Sequence, residues 1–382
     1  MKSKHWLLLY FLLLFAGILG YMGLNYYANP LGYFTVKKGM SYYRADDYTR
    51  AIKSEYLLKN SDQYDAVIIG GSKAGVLSTD RLTEYTGKRY YNFFNNIGNF
   101  SDYLRYTEFI LNHTDISEIT LHLSSYEVQA YSQETRSSNF EVPAIVAGNK
   151  WDQLTETLGY LMTDLKTVIE ELKTNPDEKG GSPEQLVNGE RNRNNSFRSF
   201  EKNPRAYIKK EVTKGLKKYL KQMFAQKANS QPAYDDNIAA LRQIKALCDE
   251  HNVTLKVVIG AGFLGERNIY ECERYYDYLA QIVTITDVWD FNDFHPINLN
   301  PYNFLNRKHY TNTVADLMID TMYGKDSVEG FGHYLTRDNI YDYLKARRAD
   351  FKRLKEEFEA TGTIALPGMD DESYIPYPKP SQ

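Results

Sequence analysis

Nineteen consecutive residues, Trp6 to Leu24, read WLLLYFLLLFAGILGYMGL and carry no charge. At about 1.5 Å per residue a helix of that length covers about 29 Å, close to the roughly 30 Å hydrocarbon core of a bilayer. Lys2, Lys4 and His5 precede the run, and no basic cluster follows it before Lys37 and Lys38. Positive-inside logic then expects a cytoplasmic amino terminus, with the main part of the chain extracellular. Trp6 and Tyr10 fall near one interface, and Tyr21, Tyr26 and Tyr27 near the other, as in an aromatic belt. A cleaved signal would have a shorter apolar region and a small-residue cleavage site, so residues 1–28 are read as an uncleaved, single-pass anchor in the cell membrane. No later stretch reaches about 18 uncharged apolar residues.

Composition narrows the rest. The 382 residues are 42% hydrophobic and 25% charged, which excludes a wholly disordered chain, a collagen-like repeat and a polytopic membrane protein. A net charge of −3, from 46 basic and 49 acidic residues, gives no electrostatic case for nucleic acid. Cys248 and Cys272 form no CxxC zinc spacing; they either pair or are packed as small apolar residues. No motif calls for a cofactor or a metal. The 33 tyrosines fit either a wet surface that grips apolar or sugar-like groups, or drift in base composition.

Residues 25–60 read as a lead-in that ends in a helix, Tyr48 to Lys59. Five strands follow in the pattern: Ala66–Ile69, Arg89–Phe94, Glu118–Leu123, Thr254–Ile259 and Val283–Asp290. Short unbroken apolar runs bounded by glycine signal buried parallel strands. Helices are expected over Ser101–Asn112, Asp235–His251 and Thr313–Tyr323. Strands alternating with helices argue an α/β fold, a three-layer sandwich around a mainly parallel five-stranded sheet, over residues 29–325. A helical insertion at about 130–232 interrupts it. The insertion opens with one amphipathic helix carrying Trp151, Leu154, Leu158, Leu161, Leu165, Val168 and Leu172 at three/four spacing. A polar loop (174–203) and a basic helix, Arg205 to Ala225, complete it; the basic face either meets anionic lipid or polymer or is simply solvated. Residues 326–382 hold a charged helix (336–360) and a Pro/Gly/acid-rich tail.

Three places bear on chemistry. Gly70-Gly71-Ser72 ends the first strand, at the carboxyl edge where open α/β sheets place their sites. Ser72 there is either a nucleophile or the N-cap of a following helix. Asn95-Asn96-Ile97-Gly98 follows the second strand, where a backbone N–H has the position of an oxyanion donor. Asn306-Arg307-Lys308-His309-Tyr310 precedes the last helix of the sheet domain, and His309 is either a general base reaching over the sheet or a surface histidine. Trp289, Phe291, Phe294, His295, Tyr302 and Phe304 lie around that loop and suit either sugar stacking or loop packing.

Serine after strand one, glycine after strand two and histidine three residues after a polar residue, in that order, resemble the SGNH (GDSL-like) hydrolase superfamily over about residues 60–325 outside the insertion. YDAVIIGGSKAG resembles the family's strand–Gly–x–Ser, and NRKHY its D-x-x-H-Y. More narrowly, the chain is similar to a membrane-anchored branch that includes the D-alanylation protein of teichoic acid synthesis and the alginate and cellulose O-acetylation proteins. GFGHYLTRDNIYDYL (330–344) is similar to a tail found in relatives from polysaccharide clusters. The resemblance implies Ser72 as nucleophile and His309 as base, with Asn306 where the family has aspartate. It implies an oxyanion hole from the Ser72 and Gly98 N–H groups, with a hydroxyl at Ser124-Ser125, taken as Ser125, replacing an asparagine. The implied activity is O-acyl transfer, of acetyl, to an exported or cell-surface polysaccharide. A membrane-bound O-acyltransferase in the same bilayer is the implied partner, since no acyl-CoA is expected outside the cell, and no cofactor is implied. For the missing carboxylate, Asp290 or Asp293 stands in, a Ser–His dyad suffices, or the domain only binds. The other readings are a non-catalytic polysaccharide-binding or assembly subunit and an acetylesterase or deacetylase.

Overall fold

The computed structural model describes residues 3–31, 33–34, 42–43, 49–96, 98–124, 142–173, 185–186, 188–191, 199–226, 234–266, 272–325 and 327–369. Lys37, Lys38, Ser125, most of the polar loop 174–203 and the tail from residue 370 lie outside them. In chain order, α1 (Ser3–Ala28) and α2 (Thr49–Lys59) precede strand β1 (Ala66–Gly70) and α3 (Thr79–Thr86). Then come β2 (Tyr90–Phe94), α4 (Phe100–His113) and β3 (Glu118–Leu123). The insertion contributes α5 (Lys150–Leu161), α6 (Leu165–Lys173), α7 (Pro204–Glu211) and α8 (Leu216–Phe224). Next come α9 (Tyr234–Glu250), β4 (Thr254–Ile259), α10 (Cys272–Ile285) and β5 (Val288–Asp290). The described chain closes with α11 (Asn312–Met322), β6 (His333–Leu335) and α12 (Ile340–Thr361).

These elements form two compact units. The first, residues 1–59 and 137–187, holds α1, α2, α5 and α6. Its small core packs Tyr33 and Tyr160 with Ala51 and Ile52, the two tyrosine rings stacked with centroids 3.9 Å apart. α1 is long and apolar enough to cross a membrane, and its residues Lys4 to Gly20 are all exposed. The single amphipathic helix expected from Trp151 to Leu172 is instead two helices, broken at Met162-Thr163-Asp164. Asn149 and Asp152 start the first with a reciprocal capping box, which satisfies otherwise orphaned backbone donors.

The second unit, residues 60–136 and 188–382, is α/β. Its sheet has six strands, not the five expected, in the order β2-β1-β3-β4-β5-β6. The first five run parallel, and β6 pairs antiparallel with β5, His333 opposite Asp290. All five residues of β1 and all six of β3 are buried; β1 accordingly reads as an unbroken apolar run, whereas β3 alternates, with the polar Glu118, Thr120 and His122 buried as well. The fifth strand is shorter than expected: Val283–Ile285 belong to α10, and only Val288–Asp290 are extended. The basic helix is likewise two, α7 and α8, separated at Val212 to Gly215, where Gly215 has φ +69°. Cys248 on α9 is a buried free thiol, and burial pushes its pKa up to about 11, so it is packed and inert.

Strand order reverses at β1, which has the second strand on one side and the third on the other. In open α/β sheets the crevice at such a reversal, beyond the carboxyl ends of the strands, is where ligands bind. The register aligns Gly70 with Phe94 on β2 and with His122 on β3, so the loops after these three strands leave the sheet at one edge. Gly70 has to be glycine for packing reasons: a Cβ there would lie 2.7 Å from the Ala74 Cβ and 2.8 Å from the His122 carbonyl oxygen.

Candidate active site

Ser72 and His309, 237 residues apart, meet at this edge: the serine Oγ lies 2.8 Å from the histidine Nε2. Ser72 is not a helix cap. A one-turn 3-10 helix, Ala74–Val76, follows it, and the N-cap of α3 is Ser78, whose side chain accepts from the Arg81 N–H. Both Ser72 and His309 are half-buried, screened yet within reach of a ligand.

Asn306 decides the proton positions. Its Oδ1 lies 2.9 Å from the backbone N–H of Lys308, 3.0 Å from that of His309 and 3.0 Å from the His309 Nδ1. Two backbone donors converge on this atom, so it is the amide oxygen and not the nitrogen. The His309 Nδ1 facing it must then carry the proton, which leaves Nε2 bare to accept from the Ser72 hydroxyl. The amide thus fixes the tautomer a general base needs. It supplies no negative charge to stabilise the imidazolium that forms when Ser72 is deprotonated.

Asp290 and Asp293 do not stand in for the carboxylate. Asp290 accepts from Asn292 N–H and from the Tyr343 hydroxyl at 2.7 Å. Asp293 faces Arg347 at 3.3 Å and His333 at 3.4 Å. These contacts tie the 330–344 motif and α12 to the end of β5, which gives that sequence a structural role.

Tyr310 joins the loops that carry Ser72 and His309, a role the sequence reading missed. Its hydroxyl lies 3.0 Å from the Lys73 carbonyl and 3.0 Å from the His122 Nε2. A carbonyl can only accept, so the hydroxyl proton goes to Lys73, and the His122 ring N–H donates to the tyrosine oxygen. His122 is fully buried, and its pKa falls to about 3, mainly through desolvation and secondarily through the Lys73 charge; it is neutral. The Lys73 side chain turns away from the site, donating to the Ala261 carbonyl at 3.1 Å and pairing with Glu266 at 2.8 Å, both side chains only 4% exposed. The residues on either side of the Ser72–His309 contact are therefore fixed from beneath.

Arg307 holds the histidine loop from the other side. Its Nε donates to the Val212 carbonyl at 2.6 Å, a second nitrogen donates to the Lys214 carbonyl, and the guanidinium lies over the Tyr219 ring. These are the free carbonyls beyond the carboxyl end of α7, where a cation is favoured. The break between α7 and α8 thus serves the site.

The oxyanion elements are less complete. Gly98 is buried just before α4, and a Cβ there would collide with the Tyr103 hydroxyl. Ser124 is buried at the end of β3, whereas Ser125 lies outside the described residues. Asn95 donates its backbone N–H to the Gly70 carbonyl at 2.8 Å. Its side-chain amide is buried, and both polar atoms lack a partner among the described residues. An unpaired buried amide costs about 1–3 kcal/mol. An asparagine immediately after a strand was the available signal.

The aromatic cluster is mostly core. Phe291, Phe294, Tyr302 and Phe304 are buried, and Trp289 stacks on Phe291 at 5.9 Å. No group of three or more His, Cys, Asp or Glu side chains among the described residues is arranged to hold a metal ion.

Neither a scan against family models nor a search of curated proteins finds a match for this chain. The chemistry of the site is therefore read from its own geometry.

Proposed function

We propose that this chain is a membrane-anchored, extracytoplasmic O-acyltransferase that modifies an exported or cell-surface polysaccharide through a Ser72 acyl-enzyme. The observation that carries the reading is the chain of contacts from Ser72 through His309 to Asn306, 2.8 and 3.0 Å, at the strand-order reversal. In the first half-reaction the His309 Nε2 takes the Ser72 proton, Oγ attacks the acyl carbonyl, and the donor's leaving group departs with that proton. In the second, a sugar hydroxyl gives its proton to Nε2 and attacks the acyl-enzyme carbonyl, and the bond to Oγ breaks as Nε2 returns that proton to Ser72. Backbone N–H groups at Ser72 and Gly98, with the Asn95 amide as a further donor, face the oxyanion in this proposal.

The parallel strand order, second-first-third-fourth-fifth, supports a doubly wound, three-layer arrangement of the SGNH and flavodoxin type. The long apolar α1 supports a single-pass anchor, with positive-inside logic placing the α/β unit outside the cell. Acetyl is the proposed acyl group. Because acyl-CoA is a cytoplasmic donor, the proposed partner is a membrane-bound O-acyltransferase that carries acyl groups across the same bilayer. A shared membrane raises the effective concentration of the two proteins.

The test is incubation of the full-length, detergent-solubilised protein with an activated acetyl ester, followed by mass spectrometry. An acetyl adduct on the peptide carrying Ser72, absent from Ser72→Ala, is expected. Transfer to an added oligosaccharide separates transferase from esterase. Folded protein with neither adduct nor turnover would establish the alternative, a binding or assembly subunit.

A further inference from the structure

Helices α5 and α6 carry their apolar residues on the outside. Trp151, Leu154 and Leu158 on α5, and Leu165, Ile169 and Leu172 on α6, are all exposed, Trp151 to 76%. Met162, in the break between them, is 50% exposed. The three/four spacing makes this one face of each helix. The packing lies off this face: Tyr160, on the opposite side of α5, stacks on Tyr33, and Val168, flanking the exposed residues of α6, is fully buried. A surface helix of a water-soluble domain turns its apolar stripe inward, and a contiguous exposed apolar patch marks an interaction surface.

The position of α1 identifies what covers it. α1 packs against both α5 and α6, and the Tyr21 hydroxyl donates to the Thr163 carbonyl, in the α5–α6 break, at 2.5 Å. Burial on α1 begins only at Tyr21; every residue from Lys4 to Gly20 is exposed. Counted from Trp6 at about 1.5 Å per residue, Tyr21 lies about 22 Å along α1, and a hydrocarbon core of about 30 Å ends near Tyr26. The α5–α6 break is therefore held about 8 Å inside the far edge of that core, within the depth at which in-plane amphipathic helices lie.

We infer that α5 and α6 form an in-plane membrane element, with the stripe from Trp151 to Leu172 immersed among acyl chains at the outer interface. The inference rests on the reading of α1 as a membrane span. The occupant is lipid because the patch adjoins the lipid-facing surface of α1. Charge does not drive it: α5 and α6 contain Lys150, Lys166 and Lys173 against Asp152, Glu156, Glu170 and Glu171, so neutral lipid suffices. Trp151, the most exposed of the set, is a residue type enriched at such interfaces.

The experiment reconstitutes the full-length chain in phosphatidylcholine vesicles and reads single tryptophans. Trp6→Phe with Trp289→Phe leaves Trp151 alone; Trp151→Phe with Trp289→Phe leaves Trp6. Trp151 emission is expected to be quenched at least twofold more by lipids spin-labelled near the headgroup end than by aqueous iodide, and Leu158→Glu with Leu165→Glu should abolish that preference. Quenching of Trp151 by iodide but not by labelled lipid overturns the inference. Protection from both quenchers also overturns it, because a second copy then covers the stripe. Trp6 separates the two readings: lipid quenching of Trp6 without that of Trp151 defeats only the in-plane helices, and loss of both defeats the anchor as well.

Discussion

At the scale of single residues, an asparagine at position 306, where the D-x-x-H-Y pattern that NRKHY resembles has aspartate, has a defined consequence. Replacing the aspartate of a serine protease by asparagine costs about 10⁴ in rate, in part because the histidine takes the wrong tautomer. Here two backbone N–H groups turn the amide oxygen toward His309, so the tautomer is correct and only the charge is missing. Asn306→Asp should therefore raise the rate of acetyl-ester turnover by about 10- to 100-fold, less than the protease figure. The added carboxylate favours the imidazolium and should move the acidic limb of the pH–rate profile upward by about one unit or more. An unchanged rate and profile would show that His309 is not the base. Tyr310→Phe removes one hydroxyl from between Lys73 and His122 without touching either reacting group. Two buried polar groups lose their partner, at about 1–3 kcal/mol of stability. Loosening the serine loop against the histidine loop should lower kcat by up to about 10²-fold, with KM unchanged, in steady-state kinetics. A fall in stability alone would mean that Tyr310 serves only packing.

At the scale of elements, legibility follows burial pattern. Strand β1 stands out in the sequence because a strand buried on both faces reads as an unbroken apolar run, whereas β3, EITLHL, and β4, TLKVVI, are marked by their β-branched residues. β5 is misjudged in length because Val283 to Ile285, all β-branched, end a helix, with Val283 on its buried face and Thr284 exposed. β6 has three residues and pairs antiparallel at the sheet edge, too short to leave a pattern. Ser72 is legible because it follows a strand in a Gly-Gly-Ser motif, and His309 because it lies in a polar motif just before the last helix of the sheet domain. Tyr310 and Arg307 lie within two residues of His309 in sequence, yet their roles depend on β3 and on the α7–α8 break, contacts of long sequence separation that no local pattern encodes. The returning strand of the insertion makes a similar demand. Gly189 has φ +86°, and a Cβ there would strike the Asn92 carbonyl, while the Asn188 carbonyl accepts from Asn92 N–H at 2.9 Å. Gly189→Ala should therefore lower stability by about 1–3 kcal/mol, read as a reduced Tm with the Ser72 chemistry retained; an unchanged Tm would contradict the close approach.

At the scale of the whole molecule, stability depends on how acids are buried in the α/β unit. Asp316 on α11 is raised to about 6, mainly by burial and further by the neighbouring Asp320 and Glu190, with Arg81 opposing. Its folded pKa lies above its unfolded value of about 3.9, so the folded state binds the extra proton between these limits. Stability contributed by this group is therefore full below about pH 4 and is lost as pH rises through 6. Asp316→Asn should stabilise the protein by about 1–2 kcal/mol at pH 8 and by nothing measurable at pH 4, in paired thermal melts. An equal effect at both pH values would exclude a charge origin. Asp65, exposed and held down to about 2 by Arg89, has the opposite sign: its contribution is present above about pH 4 and disappears toward pH 2.

The unit containing α1 is assembled from two stretches of chain, residues 1–59 and 137–187, with the first three strands of the sheet made in between. Synthesis runs from the amino terminus at about 5–20 residues per second. The 142 residues that separate Tyr21 from Thr163 thus take about 7–28 s to appear. For that interval α1 has no α5 or α6 beside it, and β4 to β6 do not yet exist. Until then the nineteen uncharged residues of α1 have no part of the unit's second stretch to shelter them.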